Sequence, residues 1–291
     1  MNDESPQHSI PPSSPVDPAM VRVLRSLDPI ARAADCHYFV AGATARDLIL
    51  VNVHGLRPGR ATRDIDFGIA VESWDQFARL KGALVATGDF EADRRMLQRL
   101  TYSDQDAGFS MLVDLIPFRG VASADGTIKW PPSRDIVMNV AGFEEALASS
   151  VSMEIEENLT VRVASLPGLT LLKLVAWADR GRETNKDAAD LHRLLTSYAD
   201  AGNTDRIYDH EMDLLEALGF DMELAGAELL GRDVASVCAP GSLDQIRSLI
   251  KSEGQLERLT NHMIQSSAYP EAAAAVARIV NAFCRGVLHD L

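Results

Sequence analysis

The sequence predicts an α+β fold in two parts, a mixed-sheet domain followed by a helical one. Three observations carry this. Short apolar strands alternate with helical segments up to about residue 164; the text from Leu166 onward is almost wholly helical in pattern; and the two stretches share no repeat. At 291 residues there is material for one large domain or two modest ones, each with its own core. The expected division is a disordered tail over 1–17, a catalytic α+β domain over 18–164 and a helical domain over 165–291.

Residues 1–17 are polar and rich in Pro and Ser, the composition of a segment that cannot bury a core. Met20, Val21, Val23, Leu24, Leu27 and Ile30 then recur at helical spacing from Pro18 to about Ala34. A strand follows at His37–Val40, then the small-residue turn Ala41-Gly42-Ala43-Thr44 and a helix through Leu48 and Leu50. Ile65–Val71 reads as a second strand. Ser73 with Gln76 forms a capping box for a helix from Trp74 to about Val85. Further strands are expected at Leu97–Tyr102, Phe109–Phe118, Ile136–Asn139 and Leu159–Val163, with the helices on one sheet face. In the last third, Gly202, Gly219, Gly241, Gly254 and Pro270 mark breaks between helices, and Pro270 opens the final one.

An apolar share of 46% is ordinary for a globular protein, and no apolar run is long enough to span a membrane. The first residues lack the pattern of a secretory signal. Cys36, Cys238 and Cys284 are odd in number and far apart, which fits neither a disulfide framework nor a zinc site. A cytoplasmic location follows as the expectation. The net charge of −14 argues against a protein that coats nucleic acid nonspecifically, because such affinity comes from neutralising phosphates. Contact with RNA would need a local basic surface. Arg57, Arg60 and Arg63, together with Arg94, Arg95 and Arg99, could supply it; salt-bridging to surface acids is the competing role.

The strongest chemical feature is Thr62-Arg63-Asp64-Ile65-Asp66. One intervening residue puts Asp64 and Asp66 on the same face of a strand. Two converging carboxylates make a hard oxygen site suited to Mg²⁺, which completes its shell with water and phosphate oxygens. Alone, the pattern is equally that of a solvated acidic strand edge. Asp114, inside the apolar run Met111–Pro117, strengthens the metal reading, since a charge there is costly unless metal-bound or paired. Arg46 or Arg63 could provide such a pairing. The Gly42-Ala43-Thr44 turn lets backbone approach a phosphate at a helix start; without a ligand it is a tight strand-to-helix turn. Finally, Lys173 and Arg180 lie two helical turns apart on one face, and Lys173 must either snorkel outward or face a cleft.

Taken together and in this order, these residues resemble the DNA polymerase β-like nucleotidyltransferase superfamily, and within it the AbiEii/MenT toxins. The likeness runs from about Tyr38 to Leu195. It rests on the Gly-rich turn, the D-x-D strand, Lys173 and Arg180 as K-x6-R, and the later Asp187 within Lys186-Asp187-x-x-Asp190. The turn departs from the usual Gly-Gly or Gly-Ser, and Ala45-Arg46-Asp47-Leu48 is also similar to the tRNA-nucleotidyltransferase and poly(A)-polymerase branch.

The resemblance implies transfer of a nucleoside monophosphate from an NTP to an acceptor hydroxyl, with Mg²⁺ or Mn²⁺ held by Asp64, Asp66 and Asp114. Gly42, Ala43, Thr44, Arg63, Lys173 and Arg180 would bind the nucleotide. Lys173 and Asp187 would join the catalytic set, with Asp187 orienting Lys173 or touching the nucleotide. The implied acceptor is RNA, at the tRNA 3′ end, and a toxin of this kind would have an antitoxin as partner. Two rivals stay open: a transferase acting on a small molecule or a protein, and an inactive binding homologue.

Overall fold

The computed structural model describes residues 7–11, 13–59, 62, 64–104, 107–181, 183–266 and 273–289. The chain divides into two compact units, Met1–Ser165 and Leu166–Leu291.

The first unit is built on a mixed sheet. Its strands are β1 (Gln7–Ser9), β2 (His37–Ala41), β3 (Asp64–Val71), β4 (Phe90–Ala92), β5 (Arg99–Asp104), β6 (Phe109–Arg119), β9 (Val151–Glu156) and β10 (Leu159–Val163), while β7 (Thr127–Lys129) and β8 (Val137–Asn139) form a separate ribbon. The spatial order is β1-β9-β10-β2-β3-β6-β5-β4. At its centre β3 runs antiparallel to β2 and parallel to β6. Both are buried strands with apolar side chains on two faces, which explains why Ile65–Val71 and Phe109–Phe118 read as near-continuous apolar runs.

Pleating sorts β3 into two sets. Ile65, Phe67 and Ile69 point to one face, where Tyr38 meets Phe67 edge-on with ring centres 5.8 Å apart. The Tyr38 hydroxyl reaches Asp28 on α1 (Pro18–Ala33), so α1 covers this face, and α3 (Trp74–Ala86) packs beside α1. Asp64, Asp66 and Gly68 point to the other face. There Phe143, at the start of the short α4 (Phe143–Ala148), packs on Phe39 and Phe118. The helices therefore do not all lie on one face as expected. α4 occupies the acid-bearing side, next to the place where Gly68 leaves room for Phe39.

Helix starts follow the local chemistry. Asp17 caps α1 by accepting from the Ala19 N–H at 2.8 Å. The Ser73 hydroxyl accepts from the Gln76 N–H, while the Gln76 side chain accepts from the Glu72 N–H rather than from the cap residue itself. α2 (Gly42–Asp47) continues into a π-helical turn at Leu48–Val53, in place of the plain helix expected through Leu48 and Leu50.

Several expectations are corrected. Within 1–17, read as a disordered tail, Gln7–Ser9 pairs in parallel with Ser152–Glu154, Val16 is buried and the Asn52 side chain donates to the Ser14 carbonyl. Backbone pairing to an open sheet edge needs no apolar side chains, so polar composition does not reveal it. Residues 1–6 and 12 lie outside the described ones. β4, β7 and β9 were not expected, although Val151-Ser152-Met153-Glu154-Ile155-Glu156 does alternate with period two. The strand expected at Leu97 starts at Arg99.

The second unit is helical: α5 (Leu166–Arg180), α6 (Lys186–Ser197), a π turn (Ala199–Asn203), α7 (Thr204–His210), α8 (Met212–Ala217), α9 (Met222–Val237), α10 (Pro240–Lys251), α11 (Glu253–Ser266) and α12 (Ala273–Val287). Gly202 and Gly219 break the chain at positive φ of 83° and 67°, and Gly241 and Gly254 sit in the first turns of α10 and α11, just past the breaks that precede those helices. α9 and α12 approach closely through their glycines: a Cβ on Gly286 would lie 2.0 Å from the Glu228 carbonyl oxygen, and one on Gly231 2.2 Å from that of Phe283. Pro270 lies outside the described residues. No helix among them is long and apolar enough to cross a membrane.

Candidate active site

Register creates the acidic cluster. β3 and β6 are parallel and pair Asp64 with Leu112 and Asp66 with Asp114, so the three carboxylates project from one face. One oxygen from each lies within 4.8 Å of the others. Asp64 and Asp66 are half-buried, and Asp114 is 7% exposed. Three carboxylate oxygens this close form a hard-donor set of the size that a Mg²⁺- or Mn²⁺-class cation takes.

The turn before α2 is shaped around this cluster. Ala41 pairs with Asp66 across β2 and β3, bringing Gly42 against it. Gly42 has φ of +64°, and a Cβ there would stand 1.9 Å from the Asp66 Oδ2. The Thr44 hydroxyl, itself buried, donates to the Asp64 carbonyl oxygen at 3.1 Å. Ala43 is buried too, so the turn presents backbone rather than side-chain donors. The Thr62 hydroxyl donates to the Asp64 Oδ1.

Among the described residues Asp114 is paired by Arg99 and not by Arg46. On β5, antiparallel to β6, Arg99 stands directly across from Asp114. Its Nε donates to Oδ1 at 2.8 Å and its Nη2 to Oδ2 at 2.7 Å. Hydrogen bonding to Asp114 raises the pKa of the guanidinium; burial opposes, and the charges of Asp114, Asp64 and Asp93 reinforce the rise. Arg46, 3% exposed, forks onto its neighbour Asp47 instead. Arg63 lies outside the described residues.

This pairing also revises the expected basic surface. Arg99 faces into the acid cluster, and Arg95 precedes β5, so the two do not alternate along one extended strand. Arg57, Arg94 and Arg95 are exposed, while Arg60 lies outside the described residues.

A cavity of about 240 Å³ opens beside this pole, lined by Asp47, Asn52, Thr62, Asp64 and Met111 among others. A larger hollow of about 370 Å³ lies at the opposite end of β2, against Asp28, Arg32, His37 and Tyr38. It is remote from the acid trio, so size alone does not locate the chemistry.

In the second unit Lys173 neither snorkels nor stands alone. Its Nζ is 3.0 Å from Asp187 and 2.6 Å from Asp190, three residues apart on one face of α6. Arg180 forks onto the same Asp187, with Nε at 2.8 Å from Oδ2 and Nη2 at 3.1 Å from Oδ1. Burial pulls the Lys173 pKa down, but Asp190 and Asp187 more than offset it and the net shift is upward. Burial pushes Asp187 up, yet the hydrogen bond from Arg180 and the charge of Lys173 bring it below the ordinary value. Asp187, 1% exposed, thus links both cations of the K-x6-R helix. Trp177 on the same helix is fully buried; its indole N–H donates to the His262 Nδ1 at 3.1 Å, and Arg258 stacks 4.4 Å above its ring.

Sequence reasoning missed Arg99 as the partner of Asp114, Asp190 as the second anchor of Lys173, and the Thr62 brace on Asp64. Only Asp190 left a legible signal, its spacing of three from Asp187.

The family described as "Nucleotidyl transferase AbiEii toxin, Type IV TA system" matches residues 25–249. No curated protein matches. Among solved structures, an antigenic nucleotidyltransferase-like protein from Paracoccidioides brasiliensis is 18% identical with a TM-score of 0.41, over 70% of this chain and 94% of that one. JHP933 from Helicobacter pylori is 17% identical with a TM-score of 0.39, over 95% and 96%. The Thermotoga maritima CCA-adding enzyme complexed with tRNA is 13% identical with a TM-score of 0.27, over 96% and 83%. Similarity at this level says nothing of substrate.

Proposed function

The chain belongs to the AbiEii nucleotidyltransferase toxin family, and from that premise we propose that it moves a nucleoside monophosphate from an NTP to an acceptor hydroxyl, releasing pyrophosphate, with Mg²⁺ or Mn²⁺. The observation that carries this reading is the convergence of Asp64, Asp66 and Asp114 within 4.8 Å. A divalent cation held there would supply charge to the phosphates and acidify the acceptor hydroxyl.

The chain's own groups have separate tasks. Asp64 and Asp66 face the phosphates, and Asp114 serves the nucleophile side. Gly42 leaves Asp66 its space, and the first N–H groups of α2, which have no partner within the helix, face the outer phosphates. Because the Thr44 hydroxyl is committed to Asp64, the contribution of Ala43 and Thr44 is through backbone. Lys173 and Arg180 are proposed, on the family resemblance alone, to supply positive charge to the triphosphate as the leaving group forms. Asp187 positions both cations, a role supported by its burial and its two ion pairs. Arg63 is proposed as a further nucleotide contact on the family resemblance alone.

For the acceptor we propose RNA, at the tRNA 3′ end, which rests on the same resemblance. The type IV system named in the family description supports a cognate antitoxin as partner. Incubation with each labelled NTP, Mg²⁺ and total cellular RNA tests the reading. Label on tRNA supports it; label confined to a small molecule or a protein replaces the acceptor.

A further inference from the structure

Arg99 lies where a metal-ligating trio needs to be relieved of charge. It faces Asp114 in register from the neighbouring strand and occupies both carboxylate oxygens with a two-pronged fork. Asp114 is only 7% exposed, so water cannot screen it well, and the carboxylates of Asp64 and Asp66 stand within 4.8 Å of it. Like charges at that range, half-buried, repel strongly without a cation among them. Arg99 is itself 23% exposed, close enough to the surface to relax as the local charge changes.

The fork does not exclude a metal. An ionised carboxylate has about four lone-pair sites, and a bidentate arginine uses two of them. A cation can therefore join Asp114 while Arg99 stays, but it meets a positive charge already in place.

We infer that Arg99 is a positioning residue that holds Asp114 in orientation and stands in for the cation when no metal is bound. Its charge lowers the affinity of the trio for free metal, so the site fills best when the triphosphate brings its own negative charge. This rests on the metal-site reading proposed above.

The test measures Mn²⁺ binding by electron paramagnetic resonance without nucleotide, and melting temperature in EDTA and in saturating Mn²⁺. Wild type, R99Q, R99K and D66N are compared. Removing the charge in R99Q is expected to tighten Mn²⁺ binding by roughly tenfold or more, given a unit charge a few ångströms away. R99Q should melt below wild type in EDTA and close that gap in Mn²⁺, because at a given concentration a tighter-binding ligand stabilises the fold more. R99K keeps the charge and loses the fork, so its Mn²⁺ affinity should stay near that of wild type. An equal loss of melting temperature with and without Mn²⁺, at unchanged affinity, would make Arg99 merely structural and overturn the inference. Should R99Q not fold, tightened Mn²⁺ binding by R99K would overturn it equally. If wild type binds Mn²⁺ no better than D66N, the metal site itself fails and the inference with it.

Discussion

Gly42 and Asp66 occupy complementary space: the hydrogen at position 42 leaves room for a carboxylate oxygen that a Cβ would approach to 1.9 Å. The same glycine holds φ at +64°, which an L side chain adopts at a cost of about 1 kcal/mol. Gly42→Ala therefore strains the turn and displaces a proposed metal ligand together. Turnover should fall by about 100-fold or more, the scale of a 1 Å misplacement at a reacting centre, with a smaller loss of melting temperature. Near-normal turnover in G42A would show that the contact is not needed for chemistry.

The buried Lys173–Asp187–Arg180 group makes stability depend on pH in a defined direction. The pKa of Asp187 is lowered by folding. The unfolded chain takes up that proton first, so the contribution is present above the ordinary value of 3.8 and is lost as pH falls through the lowered one. The pKa of Lys173 is raised, so its contribution is full below 10.5 and is lost as pH climbs through the raised value. Asp187→Ala should cost roughly 1–3 kcal/mol near neutrality, because Lys173 and Arg180 lose a buried carboxylate partner while Lys173 keeps Asp190 at 2.6 Å. Denaturant unfolding at pH 7 and at acid pH checks this: the difference from wild type should shrink at acid pH.

How far the site could be read from sequence depended on whether its contacts lie along the chain or across it. Asp64 and Asp66 share a face by strand periodicity alone, and Asp114 stood out as a charge in an apolar run. Lys173, Arg180 and Asp187 were placed by the order of family motifs. Arg99 could not be paired with Asp114, because the register of β5 against β6 leaves no trace in composition. The N-terminal strand β1 escaped for a related reason: its partner β9 is more than a hundred residues away. The breaks read at Gly241 and Gly254 fall just before those glycines, which stand exposed in the first turns of α10 and α11, where the local cost of glycine is small.

If RNA is the acceptor, labelling should fall steeply as salt rises, since release of counterions drives association with a polyanion. Arg57→Glu and Arg94→Glu, at exposed positions, should raise the KM for RNA and leave the KM for NTP unchanged. Salt-insensitive labelling, or equal change in both constants, would point to a different acceptor.

The most direct measurement is transfer of labelled nucleotide to RNA by wild type, Asp64→Ala and Asp66→Ala, each with Mg²⁺ and with EDTA. Wild type should label RNA only with Mg²⁺. Each variant should be inactive with Mg²⁺ while still melting cooperatively in EDTA. Wild-type turnover in either variant with Mg²⁺ present would contradict the assignment of the acid trio as the reacting centre.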